Sequence, residues 1–226
     1  PNFSQMKEPC FELHWNKPKE YLEKFKKGIP YLIGPFTFLK LSKGLRPEAF
    51  PKYLLAITEV YKKLIDGLSQ VHIDEPAFVM ELSSQEIKAI KEVYQQLGKS
   101  QCQINLFTYY GSVDFLRDLF DLPVQSLGLD FVHGKENLTY IQKNGFPKNK
   151  TLIAGLVDGR NIWRNNIQKT CAILQELSKH TKSLMVSNAS PLYHLPITIE
   201  GEELHPQLLK NLAFAQEKLK ELKLIA

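Results

Sequence analysis

The sequence predicts an α/β fold of the (β/α)8 TIM-barrel type, incomplete, with about six of the eight strand–helix units present. Three observations predict it. Six short apolar runs rich in β-branched or aromatic residues recur along the chain. Their starts lie about 30 residues apart, the pace of strand, loop, helix and loop. Polar residues close several different runs, as they do around the mouth of a barrel. A doubly wound dinucleotide fold is disfavoured, because no G-x-G-x-x-G follows any of the runs.

The elements follow in order. Residues 1–30 read as a lead-in loop and helix, with a Lys-rich helical stretch at Lys17–Lys27 and no strand. Residues 31–226 read as a single partial barrel. Its strands start at Tyr31, Gln70, Ile104, Ser126, Thr151 and Ser183, each closed by Gly, Asp, Asn, Ser or Pro. Their near-continuous apolar character is what a parallel sheet covered on both faces requires. Between them, Glu48–Asp66 carries Tyr53, Leu54, Ile57, Val60, Tyr61 and Leu64 at helical spacing. Ser84–Leu97 carries Ile87, Ile90, Val93, Tyr94 and Leu97, and Ser83 with Glu86 predicts a capping box at its start. Trp163–His180 places Ile167, Cys171, Leu174 and Leu177 on one stripe, which puts Cys171 in the core. Glu203–Lys223 reads as one last helix burying Leu208, Leu209, Leu212, Phe214, Ala215 and Leu219, ending in lysines that suit its negative dipole end.

Composition narrows the function classes. With 226 residues, 43% hydrophobic and 23% charged, the chain has the balance of a soluble globular protein rather than a disordered one. Its apolar runs are far shorter than the ~20 residues of a membrane span, and no apolar stretch follows the polar start, so a cytoplasmic protein is expected. Cys10, Cys102 and Cys171 are too few and too widely spaced for a disulfide scaffold and lack a C-x-x-C pair; two of them are expected to be buried. The net charge is +5, but the lysines are spread over solvated helix faces rather than gathered in a stripe, which argues against nucleic acid as a partner.

The candidate site residues stand at strand ends: Asp74 and Glu75, Tyr110, Asp130, Asp158 and Arg160. For Asp74-Glu75-Pro76 the expectation is structural, with carboxylates accepting hydrogen bonds from loop amides while Pro76 closes the strand. A planar guanidinium binds carboxylates through two donors, so Arg160 is expected to pair with Asp130 or Asp158, or else to reach a ligand carboxylate. His133 and His194 follow strand ends and belong at the mouth. His72 lies within a strand, facing away from Val71 and Ile73. His14, His180 and His205 read as surface positions, and no pair has the spacing of a metal clamp.

Five strings occur in register: Tyr31-Leu-Ile-Gly-Pro-Phe-Thr-Phe-Leu, Ile73-Asp-Glu-Pro-Ala, Thr108-Tyr-Tyr-Gly-Ser, Leu156-Val-Asp-Gly-Arg-Asn-Ile-Trp-Arg, and Ser187-Asn-Ala-Ser-Pro-Leu-Tyr-His-Leu-Pro. Together they resemble the amino-terminal domain of cobalamin-independent methionine synthase, without its first strands. The resemblance implies a two-barrel methyltransferase that moves a methyl group from 5-methyltetrahydrofolate polyglutamate to homocysteine. In such an enzyme zinc sits in the carboxy-terminal barrel, where it keeps the homocysteine thiol deprotonated. The family's zinc ligands are His-x-Cys, Glu and Cys. The corresponding strand ends here carry Thr108-Tyr109-Tyr110, Asp130 and Ala189-Ser190. The resemblance therefore implies no metal, no cofactor and no catalytic residue in this chain, with the carboxy-terminal barrel as partner. It also implies that this half frames the folate-facing surface, since the family's basic folate contacts lie upstream of any residue here.

Two other readings stay open. One is a stand-alone barrel that binds a pterin or another anionic small molecule without chemistry. The other is a barrel of the uroporphyrinogen decarboxylase type, whose mouth Asp and Arg residues hold acidic substrate groups. In every case an open barrel edge exposes unpaired backbone groups and predicts self-association.

Overall fold

The computed structural model describes Phe11 and residues 28–226. The Lys17–Lys27 helix, Cys10 and His14 lie outside the described residues. No helix among those described is long and apolar enough to cross a membrane. The described residues form two compact units, Phe11 and 28–107 with 117–125, and 108–116 with 126–226.

In the first unit, β1 (Tyr31–Ile33), β2 (Gln70–Asp74) and β3 (Gln103–Phe107) pair in parallel and in sequence order, with Leu32 opposite Ile73 and Ile73 opposite Leu106. Val71, Ile73 and Leu106 are fully buried. The helices are α1 (Pro35–Lys40), α2 (Phe50–Ile65) and α3 (Ser84–Leu97). The short α4 (Leu116–Phe120) follows β3. Helix α2 starts later than the periodicity predicts, because Pro47–Ala49 forms a 3-10 turn ahead of it. Its buried face is Tyr53, Leu54, Ile57, Thr58, Tyr61 and Ile65, with Val60 and Leu64 half-buried at the margin. Helix α3 has the predicted bounds and its capping box: Ser83 Oγ accepts from the Glu86 N–H, and the Ser83 N–H donates back to Glu86. Phe36, Phe78 and Tyr94 pack edge to face at the centre of this unit.

In the second unit, β4 (Ser126–Asp130), β5 (Thr151–Val157) and β6 (Leu184–Asn188) are likewise parallel and sequential. All five residues of β4 are buried. Its helices are α5 (Lys135–Asn144), α6 (Ile167–Ser178), α7 (Pro206–Leu209) and α8 (Ala215–Ile225). All six predicted strands are present. Among the described residues β1 and β6 each have a strand neighbour on one side only, which fits an incomplete barrel.

Two expectations are corrected here. The single helix at Glu203–Lys223 is two helices, because the backbone of 211–213 pairs instead with the loop after β5. The Arg164 N–H donates to the Asn211 carbonyl, and the Ala213 N–H to that of Ile162. Leu212, Ala213 and Phe214 are buried by that pairing, while Leu208 and Leu219 stay exposed and α8 turns Lys218, Glu221 and Ile225 inward. Cys171 is half-buried on α6 rather than in the core; Cys102 is buried.

Candidate functional site

The carboxylates that close β2 belong to the first unit. Glu75 has no exposed surface. It accepts from the Phe36 N–H (3.1 Å), the Thr37 N–H (2.7 Å) and the Tyr94 hydroxyl (3.1 Å), while the Ala77 N–H donates to Thr37 Oγ1. The carboxylate thereby supplies the first amides of α1 with the acceptor that a helix start needs, in place of an N-cap side chain. Gly34 makes room for it: a Cβ on Gly34 would lie 2.0 Å from Glu75 Cδ. Asp74 beside it is nearly as buried, and its Oδ1 has no hydrogen-bond partner. Burial pushes both groups up to about 7, for Asp74 with the Glu75 charge adding to it and a Tyr31 hydrogen bond opposing it. His72, in the same strand, stacks against Phe107 at 5.0 Å, and burial pushes its pKa down.

The second unit gathers the other four candidates. Tyr109 and Tyr110 both adopt left-handed backbone angles (φ 55° and 58°), followed by Gly111 at φ 151°. Consecutive aromatic residues in this region are strained, by roughly 1–3 kcal/mol each. The strain is held by the fully buried Asn137 of α5. Its Nδ2 donates to the carbonyls of Gly111 (3.1 Å) and Asp130 (2.8 Å), and its Oδ1 accepts from the Val113 N–H (3.0 Å). Asp130, fully buried, uses Oδ1 to accept from the Val132 and His133 amides at 2.7 and 2.9 Å, and its Oδ2 has no partner. Burial raises its pKa against the pull of those amides.

Asp158 organises the loop after β5. Its Oδ1 accepts from the Arg160 backbone N–H at 2.8 Å, and its Oδ2 meets His133 Nε2 at 2.9 Å and the Asn161 amide at 2.5 Å. The next loop is tied to it, since the Gly159 N–H donates to the buried Ser190 Oγ at 3.1 Å. The expected ion pair of Arg160 with Asp130 or Asp158 does not form. The Asp158 oxygens are already occupied, and the guanidinium instead lies over the Tyr110 ring, 5.8 Å from its centre. Tyr110 Oη is in turn 3.1 Å from His194 Nε2. Tyr110, Arg160 and His194 line an open cavity of about 480 Å3.

The structure therefore unites Tyr110, Asp130, Asp158 and Arg160 with His133 and His194 in one unit, and places Asp74 and Glu75 in the other. The partnership of His133 with Asp158 and the tying roles of Asn137 and Ser190 are absent from the sequence reading. Neither has a local signal, because the partners lie 24 to 31 residues apart. A thiolate-activating zinc does not fit these residues. It takes Cys sulfur and His nitrogen in a tetrahedral set. Here the strand ends offer phenols, single carboxylates and a serine, and no three His, Cys, Asp or Glu among the described residues gather closely enough to hold a metal ion.

Comparison with known proteins places this arrangement. The 5-methyltetrahydropteroyltriglutamate–homocysteine methyltransferase of Thermotoga maritima is 40% identical over 230 residues, covering 95% of this chain and 30% of that protein. The protein of the same name from Streptococcus thermophilus is 39% identical over 215 residues, covering 90% of this chain and 28% of that protein. The chain thus spans about 30% of the length of the curated relatives it matches. Among solved structures, a B12-independent methionine synthase from Shewanella sp. W3-18-1 superposes with a TM-score of 0.65 at 13% identity, covering 95% of this chain and 66% of that one. A methyltransferase from Methanosarcina mazei gives 0.59 at 16% identity, over 92% of this chain and 61% of that one. These likenesses carry the fold, which is the barrel type predicted from the strand spacing. The family model described as cobalamin-independent synthase, N-terminal domain, matches residues 1–182, and the chain belongs to that family.

Proposed function

We propose that this chain is the amino-terminal, non-catalytic barrel part of a methyltransferase that moves a methyl group from 5-methyltetrahydrofolate polyglutamate to homocysteine. Residues 31–226 serve as one partial barrel domain in the cytoplasm. Their task is to frame the folate-facing surface against a carboxy-terminal barrel, which carries the zinc and both substrates' reacting atoms. The observation that carries this reading is the match to the Thermotoga maritima enzyme, which runs through 95% of this chain yet uses only 30% of that protein.

The chemistry at the strand ends agrees with a supporting role. Glu75 and Asp158 spend both oxygens, and Asp130 one, on backbone amides and neighbouring side chains of their own unit, as framework carboxylates do. Proton delivery to the departing folate nitrogen and thiolate activation then fall to groups outside this chain. The test is a chimera in which this chain replaces the matching segment of the Thermotoga maritima enzyme. The expected result is methionine formation with kcat retained, because the reacting groups are untouched. A folded, zinc-loaded chimera that forms no methionine would overturn the reading.

A further inference from the structure

We propose that Tyr110, Arg160 and His194 form a receptor for one carboxylate of a small anionic ligand. The centre of this receptor is Arg160. Its side chain is exposed, and its guanidinium forms no ion pair with a carboxylate among the described residues. The nearest acidic group in sequence, Asp158, is committed: Oδ1 to the Arg160 backbone amide, Oδ2 to His133 and Asn161. Asp158 thus fixes the backbone that carries Arg160 without neutralising its charge. The guanidinium lies over the Tyr110 ring, its Cζ 5.8 Å from the ring centre, and a ring face occupies none of its N–H donors.

His194 adds a second polar group, since its Nε2 lies 3.1 Å from the Tyr110 hydroxyl and its side chain lines the same cavity. The backbone behind these side chains is strained, with Tyr109 and Tyr110 both left-handed, and it is held in place by Asn137 and Gly111. Two strained aromatic residues kept by a buried amide serve a purpose other than packing when one of them supports a cation at the rim of a cavity. The planar fork of the guanidinium fits a planar carboxylate through two parallel hydrogen bonds. The cavity, at about 480 Å3, admits a molecule the size of a short dicarboxylate. The guanidinium fork can also hold a phosphate, but the cavity is lined by three side chains and lacks the run of backbone N–H groups at a helix start that favours phosphate over carboxylate. The inference is independent of the methyl-transfer reading, since it concerns binding alone.

The test is isothermal titration calorimetry of the purified full chain with glutarate, with neutral glutaramide and inorganic phosphate as parallel probes. The expected result is one glutarate per chain and no heat from glutaramide. Arg160→Gln weakens glutarate about tenfold or more, and Arg160→Lys falls between the two, because a point charge replaces the fork. Both variants melt as the parent does, as their exposed position implies. The proposal is overturned if the parent binds no glutarate, if Arg160→Gln binds it unchanged, or if phosphate binds through Arg160 more tightly than glutarate.

Discussion

Replacing Gly34 with alanine tests the framework role of Glu75 through the sign of a stability change. Gly34 has φ −67° and ψ 151°, angles any residue adopts, so backbone conformation alone predicts that alanine stabilises by about 0.4–1 kcal/mol through the unfolded state. The structure predicts the opposite. The new Cβ would sit 2.0 Å from Glu75 Cδ and 2.2 Å from Oε1, so the carboxylate must leave its place. That abandons three donors, the Phe36 and Thr37 amides and the Tyr94 hydroxyl, in a site with no exposed surface. A buried donor left unmade costs about 1–3 kcal/mol, so with three donors a net loss of roughly 2 kcal/mol or more is expected once the alanine gain is subtracted. Urea unfolding of the two single variants and the double variant, Gly34→Ala with Glu75→Ala, measures it. With the carboxylate already gone, Gly34→Ala costs little, and the cycle shows a coupling of about 2 kcal/mol or more. A neutral or stabilising Gly34→Ala, or additive single effects, would show that Glu75 does not hold the start of α1.

Three further outcomes follow from the same geometry. Asp74 and Glu75 titrate higher in the fold than their usual carboxyl values, so the folded chain binds more protons and stability falls as pH rises from about 4 to about 7; for Glu75 the loss is on the order of 3 kcal/mol. Urea midpoints at about pH 5 and about pH 8 check this, and Asp74→Asn flattens the slope. Lys218 is fully buried and donates to the Trp163 carbonyl at 2.7 Å, close to the Glu221 and Asp158 charges, so Lys218→Met destabilises by about 1–3 kcal/mol despite its similar volume. Calorimetric melting measures it. Asn137→Ala releases the Tyr109–Tyr110 strain along with three hydrogen bonds, and hydrogen exchange of the 108–113 amides rises more than that of β5.

The order of strands was legible because a strand buried on both faces must be a short apolar run, and the chain must turn at each end of it. The capping box was legible for the same reason, since Ser83 and Glu86 need only each other and the local backbone. The last helix breaks where a local pattern meets a distant competitor. Leu208 to Leu219 satisfies helical spacing, but the backbone at 211–213 finds better partners in the Ile162–Arg164 loop. Lys218 and Glu221 look like surface residues in any window, yet both face inward, because their partners Trp163 and Asn165 come from more than 50 residues away. The site divides along the same line. Chain position singled out Tyr110, Asp130, Asp158 and Arg160. Their partners His133, Asn137 and Ser190 were set by long-range contacts, and so was the choice of Arg160 to lie on Tyr110 rather than pair with a carboxylate.

Under the proposed function this chain frames a reaction whose reacting groups lie outside it. The most direct measurement takes the purified chain with homocysteine, 5-methyltetrahydropteroyltriglutamate and added zinc, and reads bound zinc and methionine formed in the same sample. No stoichiometric zinc and no methionine above the uncatalysed rate are expected. One zinc per chain together with turnover would overturn the proposed function and move the catalytic groups into this barrel.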